Sequence, residues 1–123
     1  MSRLRELVFA SALWTMVVWG TRVRNIAGDD TMGGGEKAFG FVVCAAFIGA
    51  AIAMLALLVA RRSASLRALL PVFAIATVGW WAVRSVIIVV NDHSMAFRIV
   101  HIALGIISSV LAVAAWRAAR VRS

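Results

Sequence analysis

The chain has 123 residues, and 63% of them are hydrophobic; its mean hydropathy is +0.97. A soluble domain is usually about half apolar, so the composition excludes an ordinary water-soluble domain and indicates a membrane protein. A net charge of +8 can indicate a protein that binds nucleic acid. Here, however, the basic residues flank apolar runs, as they do in membrane proteins. We therefore expect no nucleic-acid binding.

Four apolar runs predict four membrane-spanning helices. The runs cover residues 7–21, 38–60, 68–90 and 96–116. Most are close to the ~20 residues that a helix needs to cross ~30 Å of hydrocarbon. The first run is shorter, and it reaches spanning length if the helix continues to about Ala27 while the Arg22 side chain extends to the interface.

The segments between these runs predict where each helix begins and ends. We expect helix 1 over about 4–27 and helix 2 over about 37–60, with turns at 61–65 and 91–94. Helix 1 is expected to end at Gly28 in the left-handed conformation that often terminates helices. Ser63 or Ser65 is expected to cap helix 3, and Asp92 or Ser94 to cap helix 4.

Helices 1 and 3 carry the same residue types in the same order, 62 residues apart. The matched pairs are Arg5 and Arg67, Ala12 and Ala74, Thr15 and Thr77, Trp19 and Trp81, Arg22 and Arg84, and Ile26 and Ile88. Steps of three, four or seven residues place each set on one helix face, and we expect both faces to turn into the bundle. The sequence therefore predicts an all-α integral membrane protein with four transmembrane helices in one domain. Two parallel-repeat hairpins, 1–62 and 63–123, would build it.

Basic residues are distributed unevenly between the two sides of this topology. One side carries Arg3, Arg5, Arg61, Arg62, Arg67, Arg117, Arg120 and Arg122. The other side carries Arg22, Arg24, Lys37, Arg84 and Arg98 against Asp29, Asp30, Glu36 and Asp92. Because cytoplasmic loops carry an excess of Lys and Arg, we expect a multi-pass plasma-membrane protein with both termini in the cytoplasm.

Two segments resemble a known family. The first repeat reads Trp19-Gly-Thr-Arg-Val-Arg-Asn-Ile-Ala-Gly-Asp-Asp30, and helix 4 opens with Phe97-Arg-Ile-Val-His101. Together they resemble small actinobacterial two-helix membrane proteins of unknown function, which read aromatic, basic, Asn, apolar, acidic, and then Phe-x-x-Val-His. The first repeat has Val43 in place of the histidine, and the second has Val86 and Ile87 in place of Arg-Asn. The resemblance implies a tandem duplication and no particular chemistry.

The matched arginines inside the apolar helices allow two interpretations. They could face each other and bind an anion or a lipid headgroup. The candidates for such a site are Arg22, Arg24, Arg84, Arg98 and His101. Alternatively, Arg22 and Arg84 form structural ion pairs with Asp30 or Asp92. We favour ion pairing, because four outer acids are available to five outer bases and an unpaired arginine in a membrane is costly.

His101 could in principle accept a proton or bind a metal. A metal site needs more ligands than His101 and His93 supply, and haem ligation by two histidines needs them on facing helices. We therefore expect no metal and no cofactor, and a hydrogen-bonded structural role for His101.

No Ser-His-Asp or Cys-His constellation can be assembled, so we do not expect an enzyme. We expect an accessory or scaffold protein of the cell envelope whose outer arginine cluster holds lipid headgroups or a partner. Its partners would be membrane lipids, other membrane proteins or a second copy of the chain.

A small transporter is one alternative, although Glu6, at the inner edge, is the only carboxylate in helix 1. An enzyme that acts on lipid-linked phosphate is another.

The charge asymmetry predicts the outcome of topology mapping. Alkaline phosphatase fused after Gly34 or after Asp92 should be active, because both positions are expected outside the cytoplasm. Fusions after Arg62 or Arg122 should be silent. The reverse pattern of activities would exclude the expected orientation.

Overall fold

The computed structural model of the chain describes residues 2–91 and 94–121. These residues form four α-helices, which are α1 (Ser2–Ala27), α2 (Gly34–Val59), α3 (Ser63–Val90) and α4 (Met95–Val121). The connections between them are short, so consecutive helices run in opposite directions. We call the end with segment 28–33, Asn91 and Ser94 the loop end. The opposite end, where the chain begins and the 60–62 turn lies, is the terminal end.

The helices form a bundle in which each one has two neighbours. α1 packs against α2 and α4, and α3 packs against α4 and α2. Contact is most extensive within the two hairpins, α1–α2 and α3–α4, and least extensive between α2 and α3. The predicted all-helical architecture is therefore confirmed.

Three of the helices are long and apolar enough to cross a membrane. They are Gly34–Val59, Ser63–Val90 and Met95–Arg120. α1 equals α2 in length, with 26 residues each, but it carries charged residues near both of its ends. Large apolar side chains such as Val42, Val72 and Val110 are exposed on the outside of the bundle. Such a surface suits hydrocarbon rather than water, so the described fold fits a membrane protein.

The matched faces of α1 and α3 point into the bundle. Ala12, Thr15, Trp19 and Ile26 and their counterparts Ala74, Thr77, Trp81 and Ile88 are all between 0% and 7% exposed. On the other faces of the same helices, Leu13 is 41% exposed and Ile75 is 64% exposed. The matched tryptophans thus pack inside the protein instead of forming a belt at the lipid interface, as the helical spacing predicts.

At the terminal end, the observed capping of α3 differs from the predicted capping. Arg61 has a φ of 57°, and the amides of Arg61 and Arg62 donate to the carbonyls of Leu58 and Leu57 at 3.2 and 3.0 Å. These bonds form a Schellman motif, which pairs the last carbonyls of α2. The expected serine cap of α3 was wrong, because α3 already begins at Ser63 and its N-cap is Arg62, which makes no side-chain cap.

The loop end combines a confirmed cap with two corrections. The Phe97 amide donates to Ser94 Oγ at 3.1 Å, so Ser94 caps α4 as expected. No glycine in the described ranges has a positive φ, so the left-handed stop expected at Gly28 was wrong. Its amide donates to Arg24 O at 3.2 Å instead. α2 begins at Gly34, earlier than predicted, because the extended Gly33 serves as its N-cap.

Each matched tryptophan packs on the second helix of its own hairpin. The Trp19 ring stacks on Phe47 with centroids 4.6 Å apart. Trp81 meets Gly105, where a Cβ would lie 3.1 Å from Trp81 Cε3 and 3.3 Å from Trp81 Cβ. The α3–α4 contact is therefore close because position 105 has no side chain.

Replacing Gly105 with leucine should destabilise the bundle by roughly 1–3 kcal/mol, because the Trp81 ring has to move away from the new side chain. Thermal unfolding followed by far-UV circular dichroism in detergent measures the effect. Gly79→Leu is the matched control, since a Cβ there meets no atom within 4 Å. Equal loss of stability in both variants would contradict the close contact.

Candidate functional site

A cavity of about 370 Å³ lies between the helices toward the loop end. All four helices line it. Its apolar and aromatic wall consists of Trp14, Val17, Val18, Trp19, Met32, Phe39, Gly40, Val43, Trp80, Trp81 and Leu104. Its polar residues are Thr21, Arg22, Asn25, Glu36, Arg84 and His101. We call it the arginine cavity, because the two matched arginines of the apolar helices meet in it.

Arg22 and Arg84 are both half-buried and line this cavity together. They are close enough to repel each other electrostatically. Within residues 2–91 and 94–121, neither guanidinium makes a salt bridge or a hydrogen bond. Asp30 is thus not paired with either arginine, whereas Asp92 lies outside the described residues and its pairing stays a prediction. The free donors of two guanidinium groups face one space.

Glu36 is the carboxylate that lines the cavity. It lies in the first turn of α2 and is exposed. With Glu36 ionised and His101 neutral, the two arginines and one glutamate give the cavity lining a net charge of +1. The cavity therefore attracts an anion even with Glu36 ionised.

Four tryptophans form most of the aromatic wall of the cavity. Trp81 Nε1 is buried and has no hydrogen-bond partner among the described residues. Trp14 Nε1, in contrast, donates to Ser108 Oγ at 2.8 Å. Trp19 holds the cluster together, with its ring centroid 5.6 Å from Trp80 and 6.2 Å from Trp81. Because Trp81 Nε1 is inaccessible to water, the ring contributes apolar surface to the cavity and not a hydrogen-bond donor.

Three of the five candidate residues meet in the cavity, and two do not. Arg24 is exposed and does not line it. Arg98 Nη2 donates to Asn91 O at 2.9 Å, across the connection between α3 and α4. His101 lines the cavity and its Nδ1 lies 2.9 Å from Phe97 O. Since a carbonyl only accepts, the neutral ring donates from Nδ1 and leaves Nε2 as an acceptor.

No metal-binding group of three or more His, Cys, Asp or Glu side chains occurs within the described part of the chain. Sequence reasoning did not assign Asn25, Glu36 or Trp81 to a ligand site. The sequence contained one indication that Glu36 belongs to the site. Glu36, Gly40 and Val43 are spaced by four and three residues and so share a face of α2. That face turns to the cavity.

Neither a protein-family model, nor a curated protein, nor a solved structure matches this chain. What the cavity can hold follows from its own side chains. They offer two guanidinium groups, an amide and one carboxylate beside an aromatic wall.

The loop beside the cavity is ordered by Asp29. Its Oδ1 accepts from the Thr31 hydroxyl and from the Thr31 amide, the latter at 2.8 Å. These two hydrogen bonds, followed by the charges of Lys37 and Arg22, hold the pKa of Asp29 below its usual range. A lowered carboxyl pKa stabilises the loop at neutral pH, and this contribution disappears as the pH falls through the folded-state pKa.

Removing the Thr31 hydroxyl should raise the pKa of Asp29, because the hydroxyl is the largest cause of its depression. We expect Thr31→Val to move the carboxyl titration to higher pH in NMR of protein with 13C-labelled aspartate. Thr31→Ser is the matched control, because it keeps the hydroxyl and should keep the low pKa. Identical titrations in the valine and serine variants would contradict the assigned hydrogen bond.

Proposed function

We propose that this chain is a non-enzymatic accessory protein of the plasma membrane whose arginine cavity binds the anionic headgroup of a lipid. The observation that carries the proposal is that Arg22 and Arg84 line one cavity without a carboxylate partner among the described residues. Guanidinium groups form paired, charge-assisted hydrogen bonds with phosphate oxygens. One phosphate between the two arginines would also relieve their mutual repulsion.

The wall of the cavity favours a lipid over a small soluble anion. Most of the lining residues are apolar or aromatic, and they match the glycerol and upper acyl regions of a lipid better than they match water. A lipid would therefore satisfy both the charged and the apolar parts of the lining.

We further propose that α1 is a fourth membrane span and that two duplicated hairpins, 1–62 and 63–123, form the domain. α1 packs along α2 and α4, and it equals α2 in length. The equal burial of the matched residues supports the duplication. Further support comes from the packing of Trp19 on Phe47 and of Trp81 on Gly105. Phe47 and Gly105 correspond when α2 and α4 are aligned 58 residues apart, which also pairs Phe39 with Phe97.

The orientation proposed from the charges places the terminal end in the cytoplasm and the arginine cavity at the outer side. The arginines that the structure describes at the terminal end are all exposed, as expected of a basic cytoplasmic surface. Arg120 additionally lies over the Trp116 ring, 5.8 Å from its centroid. A Trp and an Arg at the end of a span are typical interfacial anchors.

A binding role fits the polar side chains of the bundle better than catalysis or transport. Ser108 accepts the indole hydrogen bond of Trp14, and His101 Nδ1 is engaged by Phe97 O. Neither forms a nucleophile–base pair with the other in the described residues. Glu6, the carboxylate that a transporter would use, is exposed near the start of α1.

Short-chain lipids test this proposal with the intrinsic tryptophans as reporters. In neutral detergent, dihexanoyl phosphatidylglycerol should change the tryptophan emission saturably, because four tryptophans line the cavity. Dihexanoyl phosphatidylcholine should bind at least about tenfold more weakly, since its own cation neutralises the phosphate. The Arg22→Gln/Arg84→Gln variant should lose about tenfold or more in affinity, the equivalent of one charge-assisted hydrogen bond. Arg24→Gln, which removes an exposed arginine outside the cavity, should bind like the unaltered protein.

Two outcomes would overturn the proposal. One is a folded Arg22→Gln/Arg84→Gln variant that keeps its affinity for phosphatidylglycerol. The other is loss of the fold in Arg84→Gln with recovery in Arg84→Gln/Asp92→Asn, which would identify a structural ion pair instead of a ligand site.

A further inference from the structure

We propose a second anion site at the terminal end, which binds the phosphate of a phospholipid in the opposite leaflet. A cavity of about 600 Å³ lies there between the start of α1, the end of α2 and the start of α3. Its polar lining is Arg5, Arg61, Ser63 and Arg67. We call it the terminal pocket. None of its residues belongs to the arginine cavity.

The terminal pocket carries three positive charges and no acid in its lining. Arg5 and Arg67 are matched residues of α1 and α3, so equivalent side chains of two different helices meet there. Within the described ranges, none of the three arginines forms a salt bridge. Three like charges around one space disfavour each other, and a bound phosphate would offset this repulsion.

The start of α3 adds the positive end of a helix dipole to the positive side chains of the pocket. The α3 N-cap, Arg62, makes no side-chain hydrogen bond to the first turn, so the first amides of α3 beside Ser63 lack a side-chain cap. At the end of α2, the Leu57 and Leu58 carbonyls are paired by the amides of Arg62 and Arg61. A helix start with free amides attracts anions.

The floor and the position of the pocket favour a lipid as the source of the phosphate. The remaining lining consists of leucines, of which Leu4 and Leu66 are buried. Arg5 and Arg22 of α1 are separated by roughly 25 Å along the helix axis, and the same holds for their counterparts on α3. This distance is close to the ~30 Å of a hydrocarbon core, so the two sites lie where headgroups of opposite leaflets are found.

Native mass spectrometry of the full chain with dioleoyl phosphatidylglycerol tests the proposal, because it counts bound lipids. The unaltered protein should retain two. The variant Arg5→Gln/Arg61→Gly/Arg67→Gln should retain one, with affinity at the lost site reduced at least tenfold. Glycine is chosen at 61 because it accepts the positive φ of that position, and the other two arginines are exposed. The fold should therefore survive, as circular dichroism would verify.

A charge-matched control distinguishes a specific lipid site from general attraction of anionic lipid to a basic surface. Arg3→Gln/Arg117→Gln/Arg120→Gln removes three exposed arginines that do not line the pocket, and it should retain two lipids. Equal losses in the control and the pocket variant would overturn the proposal, as would retention of two lipids by the pocket variant. Displacement of the lipid by millimolar inorganic phosphate would reject a lipid as the ligand.

The expected counts of two lipids and one lipid include the lipid of the arginine cavity and so rest on the proposed function, but the two sites can fail separately. Arg22→Gln/Arg84→Gln should lose the other lipid and keep the one in the terminal pocket. A protein in which only the pocket variant loses a lipid would support the terminal site while rejecting the arginine cavity as a lipid site.

Discussion

The structure depends on where two guanidinium groups within apolar helices can be placed. An arginine that faces lipid from an apolar helix is disfavoured, by an amount that falls towards the interface, so the outside of an apolar bundle is an unfavourable place for Arg22 and Arg84. Both lie half-buried toward its interior. That placement sets the rotation of α1 and α3, because every residue at helical spacing from each arginine must then face inward as well. The burial of Thr15, Thr77 and the matched tryptophans follows from the same rotation.

The two hairpins fill the space around their matched tryptophans differently. In one, Trp19 stacks on a phenylalanine of α2, and in the other Trp81 contacts a helix that has a glycine at that level. The Phe47 ring also lies 6.5 Å from Phe73 and 6.4 Å from Trp80, so it links α2 with α3. The matched positions thus share burial without sharing contacts. The arginine cavity extends from these tryptophans towards the loop end.

Charge is concentrated at both ends of the same two helices. Arg22 and Arg84 share one cavity, while Arg5 and Arg67 share the other. Between them the matched faces carry small, hydroxyl-bearing and aromatic residues that are buried and closely packed. No further ionisable side chain of the matched faces lies between the two clusters.

The sequence by itself determined the number and type of the helices, which of their faces turn inward, and the uneven distribution of charge. These properties follow from local hydropathy and from periodicity along single helices. Only the tertiary structure decided that Glu36 joins the arginine cavity, that Arg98 binds the Asn91 carbonyl, and that Arg61 lines one pocket with Arg5 and Arg67. The spacing within one helix fixes the direction of a side chain but carries no information about what a neighbouring helix brings to it. That depends on the rotation of the helices, on their closest approach and on the path of each connection.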